Sequence, residues 1–221
     1  MKRLRWQLLI VLVALIAIGI LLLSQQQPEI LGGEPEAEPV SGGIYTEALI
    51  GAPGRLNPLL DYYNQADHDI DRLIYSGLVR FNDRGLPQGD LAETWGISVD
   101  GKVYNFSIRA NAYWHDGQPV TSDDIIFTVE LMREEGMPLP DDLRTFWTQV
   151  DVVAIDEKTI QFILPEPFAP FLDYLTFGVL PGHILGGLSV EEIIDADFNL
   201  SPVGSGPYRF QGLNVEQGRI T

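Results

Sequence analysis

Tyr104-Asn-Phe-Ser-Ile-Arg-Ala-Asn-Ala-Tyr-Trp-His-Asp-Gly-Gln-Pro-Val-Thr-Ser-Asp-Asp-Ile-Ile-Phe-Thr128 is the stretch on which the fold turns. Tyr104, Phe106 and Ile108 alternate with polar residues, the period of a half-buried strand. Asp116-Gly117 supplies the residue types of a tight turn, and Pro119 sets the entry to the element that follows. Thr121 or Ser122 stands where a helix is capped, with Asp123 and Asp124 in the first turn, where acids favour the dipole. Ile125, Ile126, Val129 and Met132 then mark one buried helical face. Trp114 offers the large apolar surface that seals such a hairpin against such a helix. Strand, tight turn and amphipathic helix follow one another within a single short stretch.

The same signals continue on both sides. Trp95, Ile97 and Val99 alternate up to Asp100-Gly101, so this dipeptide joins two strands in a hairpin. A second hairpin is predicted over Asp151 to Leu164, with arms at 152–155 and 159–163 joined through Asp156-Glu157-Lys158. Phe168, Phe171, Leu172 and Leu175 form a short helical stripe, and Pro207 to Phe210 starts another strand. Upstream, Ile44 to Ile50 is a β-prone run ended by Gly51-Ala52-Pro53-Gly54. Asp67 stands at an N-cap position before Ile70, Leu73, Ile74 and Leu78, a helix that closes near Gly77. No internal repeat is present, so solenoids and propellers are set aside. The class is α/β.

The chain has 221 residues, 31 acidic against 14 basic, and no cysteine. A disulfide scaffold and a thiolate metal site are therefore excluded. A formal charge of −17 with no basic tract leaves nothing to neutralise phosphates, which excludes nucleic acid as a partner. The 22 glycines and 15 prolines are spread along the chain, as in a folded protein rich in turns. Lys2, Arg3 and Arg5 precede an apolar run from Leu8 to Leu23, and every acidic residue lies at or beyond Glu29. Positive flank, apolar run and acidic remainder give an N-in orientation with the bulk exported. Ser24-Gln25-Gln26-Gln27-Pro28 lacks the small-residue pattern of a cleavage site, which favours an uncleaved anchor over residues 6–23 within a targeting segment at 1–27. The run spans about 24 Å as a helix, slightly short of a roughly 30 Å hydrocarbon core. Residues 28–42, rich in Pro, Gly and Glu, read as a flexible linker, and the folded part occupies 43–221.

Reactive constellations are scarce. Asp67, Asp69 and Asp71 fall at positions 1, 3 and 5 of a calcium loop, but Arg72 stands where the turn needs Gly and Leu78 where a bidentate Glu belongs. The loop is rejected in favour of a solvated first helical turn. Gly204-Ser205-Gly206-Pro207 has no following Gly-Lys-Ser/Thr, so it is not a phosphate loop. Its glycines allow either close strand packing or a cleft wall of exposed N–H groups. There is no Gly-x-Ser-x-Gly elbow, the three histidines lie in separate elements, and Asp123-Asp124 and Glu134-Glu135 diverge as helical neighbours. His115 and Asp116 are explained by turn chemistry, and His183 by capping or packing. Neither catalytic residues, a metal nor a cofactor is expected.

Several landmarks, taken together and in order, resemble the family 5 extracellular solute-binding proteins, the oligopeptide, dipeptide and nickel receptors of ABC importers. They are Leu56-Asn57-Pro58-Leu59; Leu91-Ala92-Glu93 leading to Trp95; Ile108-Arg109, Trp114, His115-Asp116-Gly117, Pro119 and Asp124; and Pro202-Val203-Gly204-Ser205-Gly206-Pro207-Tyr208. His183 in Pro181-Gly182-His183 matches a further one. The resemblance implies a type II periplasmic-binding-protein-like clamshell, of which this chain holds the first lobe only, a mixed β-sheet with flanking helices and hairpins. It implies capture of a peptide or similar small solute outside the membrane and delivery to an ABC permease driven by ATPase subunits. No lipobox cysteine is present, which leaves the apolar segment as the anchor. The alternative is a membrane-anchored sensor or interaction module derived from such a lobe. The ligand-facing candidates are Pro53, Leu56 and Asn57 in the loop after the opening strand, Gly204, Ser205 and Gly206 behind it, and Tyr45. Because complete members are much longer, half the burying surface is expected to be absent. Residues 43–221 alone should therefore bind a short peptide weakly or not at all by calorimetry, and submicromolar binding would contradict this.

Overall fold

Alternation in the stretch 104–108 becomes the centre of a sheet. The computed structural model describes residues 46–214 and 219–221 together with Ile16 and Ile18, which are helical. The stretch 1–27 expected to be a targeting segment is otherwise outside the described residues, as are the expected linker 28–42 and Tyr45. The chain divides into two compact units, Met1–Glu47 and Ala48–Thr221, and the second holds every element below. Among the described residues no helix is long and apolar enough to cross a membrane.

Helix α1 (Gln65–Ile74) is followed by a two-stranded ribbon, β1 (Val79–Phe81) and β2 (Pro87–Gly89). Strands β3 (Ala92–Ile97) and β4 (Val103–Ile108) come next, then helices α2 (Ser122–Arg133) and α3 (Asp141–Gln149), then β5 (Asp151–Asp156) and β6 (Thr159–Ile163). The four-stranded sheet has the order β3-β4-β6-β5. Its pairs are all antiparallel, because two of its three neighbour pairs are sequential hairpins, so within the α/β class the expected mixed sheet is an antiparallel one among the described strands. A 3₁₀ turn (Ala169–Leu175), α4 (Gly182–Leu185), α5 (Val190–Ile194), a second 3₁₀ turn (Asp197–Leu200) and the short pair β7 (Leu213–Asn214) and β8 (Arg219–Ile220) complete the order.

One face of the sheet supplies the core. Phe106 on β4 and Ile160 and Phe162 on β6 are fully buried, and they meet Ile125, Val129 and Met132 of α2 together with Trp147 and Phe171. Aromatic rings dominate the contact, with Phe162 against both Phe106 and Phe171 at centroid distances of 5.8 and 5.5 Å. Both predicted hairpins form. Gly101 takes a left-handed φ of 70°, the conformation its position in the loop demands. The β5–β6 turn is closed by Lys158 N–H on the Asp156 carboxylate at 2.8 Å.

Asp124 joins the sheet's neighbour elements. Its carboxylate accepts the Thr121 N–H at 2.8 Å, the Trp114 Nε1–H at 3.3 Å and the Gly182 N–H at 2.9 Å. One turn later Thr128 Oγ1 accepts the Leu180 N–H at 2.9 Å. Helix cap, hairpin and the 180–182 segment are thus fastened to one face of α2, and Trp114 is buried there as the seal.

The structure corrects several element assignments. The N-cap of α1 is Asn64, whose side chain accepts the Ala66 N–H, and Asp67 lies one turn inside the helix. Thr46 to Leu49 are not a strand. Nor are Pro207 to Phe210: here the Gly206 and Tyr208 N–H groups bond Ile74 O at 2.7 Å and Leu73 O at 3.0 Å, satisfying carbonyls that the end of α1 leaves open.

Removing the Asp124 carboxylate leaves the buried Trp114 N–H and the part-buried Thr121 and Gly182 N–H groups without their acceptor, at about 1–3 kcal/mol for a buried unsatisfied donor and less for the part-buried ones. Asp124→Ala should therefore cost about 3 kcal/mol or more in urea unfolding, whereas Asp123→Ala, on the exposed side of the same turn, should stay within about 0.5 kcal/mol. Equal effects would contradict the assignment.

Candidate functional site

A groove of about 960 Å³ lies between α1 and the segment running from α3 to the first 3₁₀ turn. Pro58, Leu59 and Tyr75 line it from one side, and Leu143, Tyr174 and Phe177 from the other. Leu143 and Tyr174 stand on α3 and the 3₁₀ turn, Pro58, Leu59 and Phe177 on connecting segments, and Asp61, His68, Asp71 and Arg72 set polar groups among them, a mix of apolar lining and a few polar groups that suits a small solute.

The sequence candidates lie directly behind these walls. Asn57 is fully buried, with its Nδ2–H donating to Asn199 Oδ1 at 3.0 Å and its Oδ1 accepting the Leu59 N–H at 3.0 Å. Leu56 is also buried, and its carbonyl accepts the Tyr75 hydroxyl at 3.0 Å. These two residues fix Pro58 and Leu59, their neighbours on the groove surface. Pro53 is half-buried in the preceding loop, outside the groove lining. Gly204 and Gly206 pack beneath the end of α1: a Cβ on Gly206 would come within 2.6 Å of the Ile74 carbonyl carbon, and one on Gly204 would run into the Ile74 oxygen. His115 meets both, its N–H on Gly204 O at 2.8 Å and its Nε2 at 2.9 Å from Gly206 O. Two landmarks far apart in sequence are therefore one contact, with Ser205 between the glycines and Pro207 at the groove edge.

The acidic character of the groove comes from Asp61, Asp71 and Asp90, and of the turn at 67–71 that the sequence reads as solvated only Asp69 is exposed among its acids. Burial corrects that reading: Asp67 and Asp71 are each 2% exposed and Asp61 is 6% exposed. Asp67 is turned away from solvent by the Gly51–Arg55 loop, accepting the Gly54 and Arg55 N–H groups at 2.7 and 2.9 Å and Asn64 Nδ2–H at 2.8 Å. Asp61 meets His68 Nδ1 at 3.1 Å. Asp71 has no hydrogen-bond partner at either carboxyl oxygen. Burial, reinforced by the charges of Asp61 and Asp67, pushes the Asp71 carboxyl up to about 9. Burial also lifts Asp61 to about 6 against the opposing pull of His68. Asp90, on the same groove, is raised by burial as well. The only sequence signal for this cluster is the Asp-x-x-x-Asp spacing of 67 and 71, which places both on one helical face.

A smaller cavity of about 420 Å³ lies by Phe127 and His183. There His183 Nε2 meets the Asp116 carboxylate at 2.7 Å. Burial raises Asp116, but the Gln118 amide and His183 outweigh it and hold the carboxyl below its usual range. Among the described residues no group of three or more His, Asp or Glu side chains is arranged to hold a metal ion.

Comparison with known proteins places this architecture. Residues 87–220 match the model of bacterial extracellular solute-binding proteins, family 5 Middle. The chain belongs to this family of solute-binding proteins, and its fold is of the type II periplasmic-binding-protein-like class. It is 27% identical over 215 residues to the dipeptide-binding protein of Escherichia coli, covering 82% of this chain and 38% of that protein. The structure of the oligopeptide-binding protein AppA from Bacillus subtilis, in complex with a nonapeptide, superimposes with a TM-score of 0.67 at 25% identity, over 76% of this chain and 33% of that one. NikZ from Campylobacter jejuni, in complex with Ni(L-His), gives a TM-score of 0.61 at 30% identity, over 73% and 31%. The chain spans between 24% and 38% of the length of these and other curated relatives.

The buried acids make stability depend on pH. An unfolded chain releases these protons near pH 4, while the fold keeps them to about 6 at Asp61 and about 9 at Asp71. Rising pH therefore draws stability from the fold across that window, by at most about 1.4 kcal/mol per unit for each group. The thermal midpoint should fall between pH 5 and pH 9, and Asp71→Asn should flatten the fall above pH 6. An unchanged slope in the variant would show that Asp71 titrates normally.

Proposed function

We infer that this chain is the solute-capturing part of an ABC importer receptor and that the groove between α1 and the 3₁₀ turn is one wall of its ligand cleft. The observation that carries this is the position of the groove. It is a roomy concavity of about 960 Å³ whose lining mixes apolar and acidic side chains, and the landmark stretches 56–59 and 204–207 meet at or behind its surface. A peptide or similar small solute lies against Pro58, Leu59 and Tyr174, and a second surface closes over it by hinge motion. Pro53, Leu56, Asn57 and Gly204 to Gly206 act through this wall, as the support that sets the height and angle of Leu59 and Pro207. Tyr45 lies outside the described residues and takes no part in this reading.

Delivery follows from the same reading. The loaded receptor docks on a permease driven by ATPase subunits, the step is transport without chemistry, and the chain works on the outer side of the cytoplasmic membrane. The apolar residues 6–23 hold it there, with 28–42 as the tether that keeps capture near the permease.

A photoreactive tripeptide carrying benzophenone, incubated at millimolar concentration with the full chain, should label groove residues such as Pro58, Leu143 or Tyr174. An excess of unlabelled tripeptide should reduce that labelling at least about fivefold, since a saturable site obeys mass action. Labelling confined to surfaces outside the groove would defeat the assignment.

A further inference from the structure

Asp71 breaks the rule that buried polar groups are partnered, and it does so on the floor of the groove. The Asn57 backbone N–H lies toward it but donates to Arg55 O at 2.9 Å, so no hydrogen bond reaches the carboxyl oxygens. Asp67, one turn earlier on α1, is committed to the Gly54, Arg55 and Asn64 donors. The Tyr75 hydroxyl donates to Leu56 O. Asp61 adds a second negative charge and holds His68. Arg72 and Arg80 line the same groove, yet the ion pairs of the described residues join neither to Asp61 or Asp71. A buried carboxyl with two empty acceptors, beside a second carboxyl and without a protein cation, is an arrangement that a bound cation completes.

The shape of the site narrows the cation. Asp71 is only 2% exposed, so whatever reaches it is small, and it has to supply several donors from one atom. A primary ammonium meets both conditions, with three N–H donors on one compact centre, whereas a guanidinium is a broad planar fork. Two carboxyls are also fewer ligands than a calcium or transition-metal ion requires.

Resting on the solute-binding reading, we propose that Asp71, with Asp61 beside it, is a subsite for a primary ammonium group of the captured solute. His68, whose side chain is 47% exposed, is the outer group over Asp61, and it swings aside as the ammonium enters. Without solute the Asp71 carboxyl carries a proton at pH 7, because burial and the neighbouring acids raise it. The incoming ammonium replaces that proton, so binding releases about one proton at neutral pH and strengthens as the pH rises from 6 to 8.

The test uses the full chain with ¹³Cγ-labelled aspartate, observed by NMR at pH 7, and two sets of probes. The first compares methylammonium chloride with sodium chloride at equal ionic strength. Methylammonium should shift the Asp71 resonance saturably and sodium should not, and absence of that shift overturns the proposal. The second compares Ala-Ala-Ala, its N-acetylated amide, and N-acetyl-Ala-Lys-Ala amide, which separates a terminal ammonium from a side-chain one. At least one of the cationic peptides should bind about tenfold tighter than the neutral one, with the gap closing to under twofold in Asp71→Asn. Equal binding of all three peptides, unchanged in Asp71→Asn, overturns the ammonium subsite while leaving the groove as a solute site. Saturable methylammonium binding with no peptide binding at all keeps the subsite and removes peptides as the solute.

Discussion

A single buried carboxylate, Asp124, is the constraint on which the rest of this lobe depends. Its two oxygens gather N–H groups from a helix cap, from a tryptophan in the preceding hairpin and from the segment that opens α4. The Trp114 donor is buried and the other two part-buried, and one carboxylate satisfies all three. Because Asp124 sits in the first turn of α2, satisfying it also fixes which face of that helix meets the sheet. Ile125, Val129 and Met132 then fall onto Phe106 and Phe162. The 180–182 segment, fastened at the same point and again at Thr128, leads back through the 3₁₀ turn whose Tyr174 forms the far wall of the groove.

Much of this was legible in the sequence where a local rule decides it. Asp100-Gly101 and Asp156-Glu157-Lys158 announced hairpins because turn chemistry acts over a few residues, and Thr121 with Asp124 announced the start of α2 for the same reason. Trp114 was readable as a seal because so large an apolar surface has to be covered. What failed was decided at long range. Asp67 looked like a cap, but Asn64 performs that role and the Asp67 carboxylate is drawn to a loop a dozen residues away. Pro207 to Phe210 carry strand-like residues, yet their N–H groups are claimed by the open carbonyls at the end of α1.

The site shows the same division. Leu56, Asn57 and Gly204 to Gly206 are not themselves on the groove surface, whose lining includes their neighbours Pro58, Leu59 and Pro207. A motif that holds a wall in place is easier to read than the wall, because packing restricts residue types more tightly than a broad solute does. The buried acids were hidden for another reason: Asp67 and Asp71 resemble ordinary solvated helix acids until the fold buries them, as it also buries Asp61 ahead of the helix. Such departures from local satisfaction gather where a protein does its work. Here the departure is confined to one side chain on a groove whose other polar groups are partnered or open to solvent.

The central claim is that the Asp124 junction makes the sheet, α2 and the far wall of the groove one cooperative unit, so that the wall is preformed before any solute arrives. Native-state hydrogen exchange tests it most directly. The Thr121, Leu180 and Gly182 amides should exchange with the same opening free energy as the Phe106 and Phe162 amides in the sheet, all through global unfolding. Exchange of the first set by low-cost local opening, with the sheet still protected, would contradict the account.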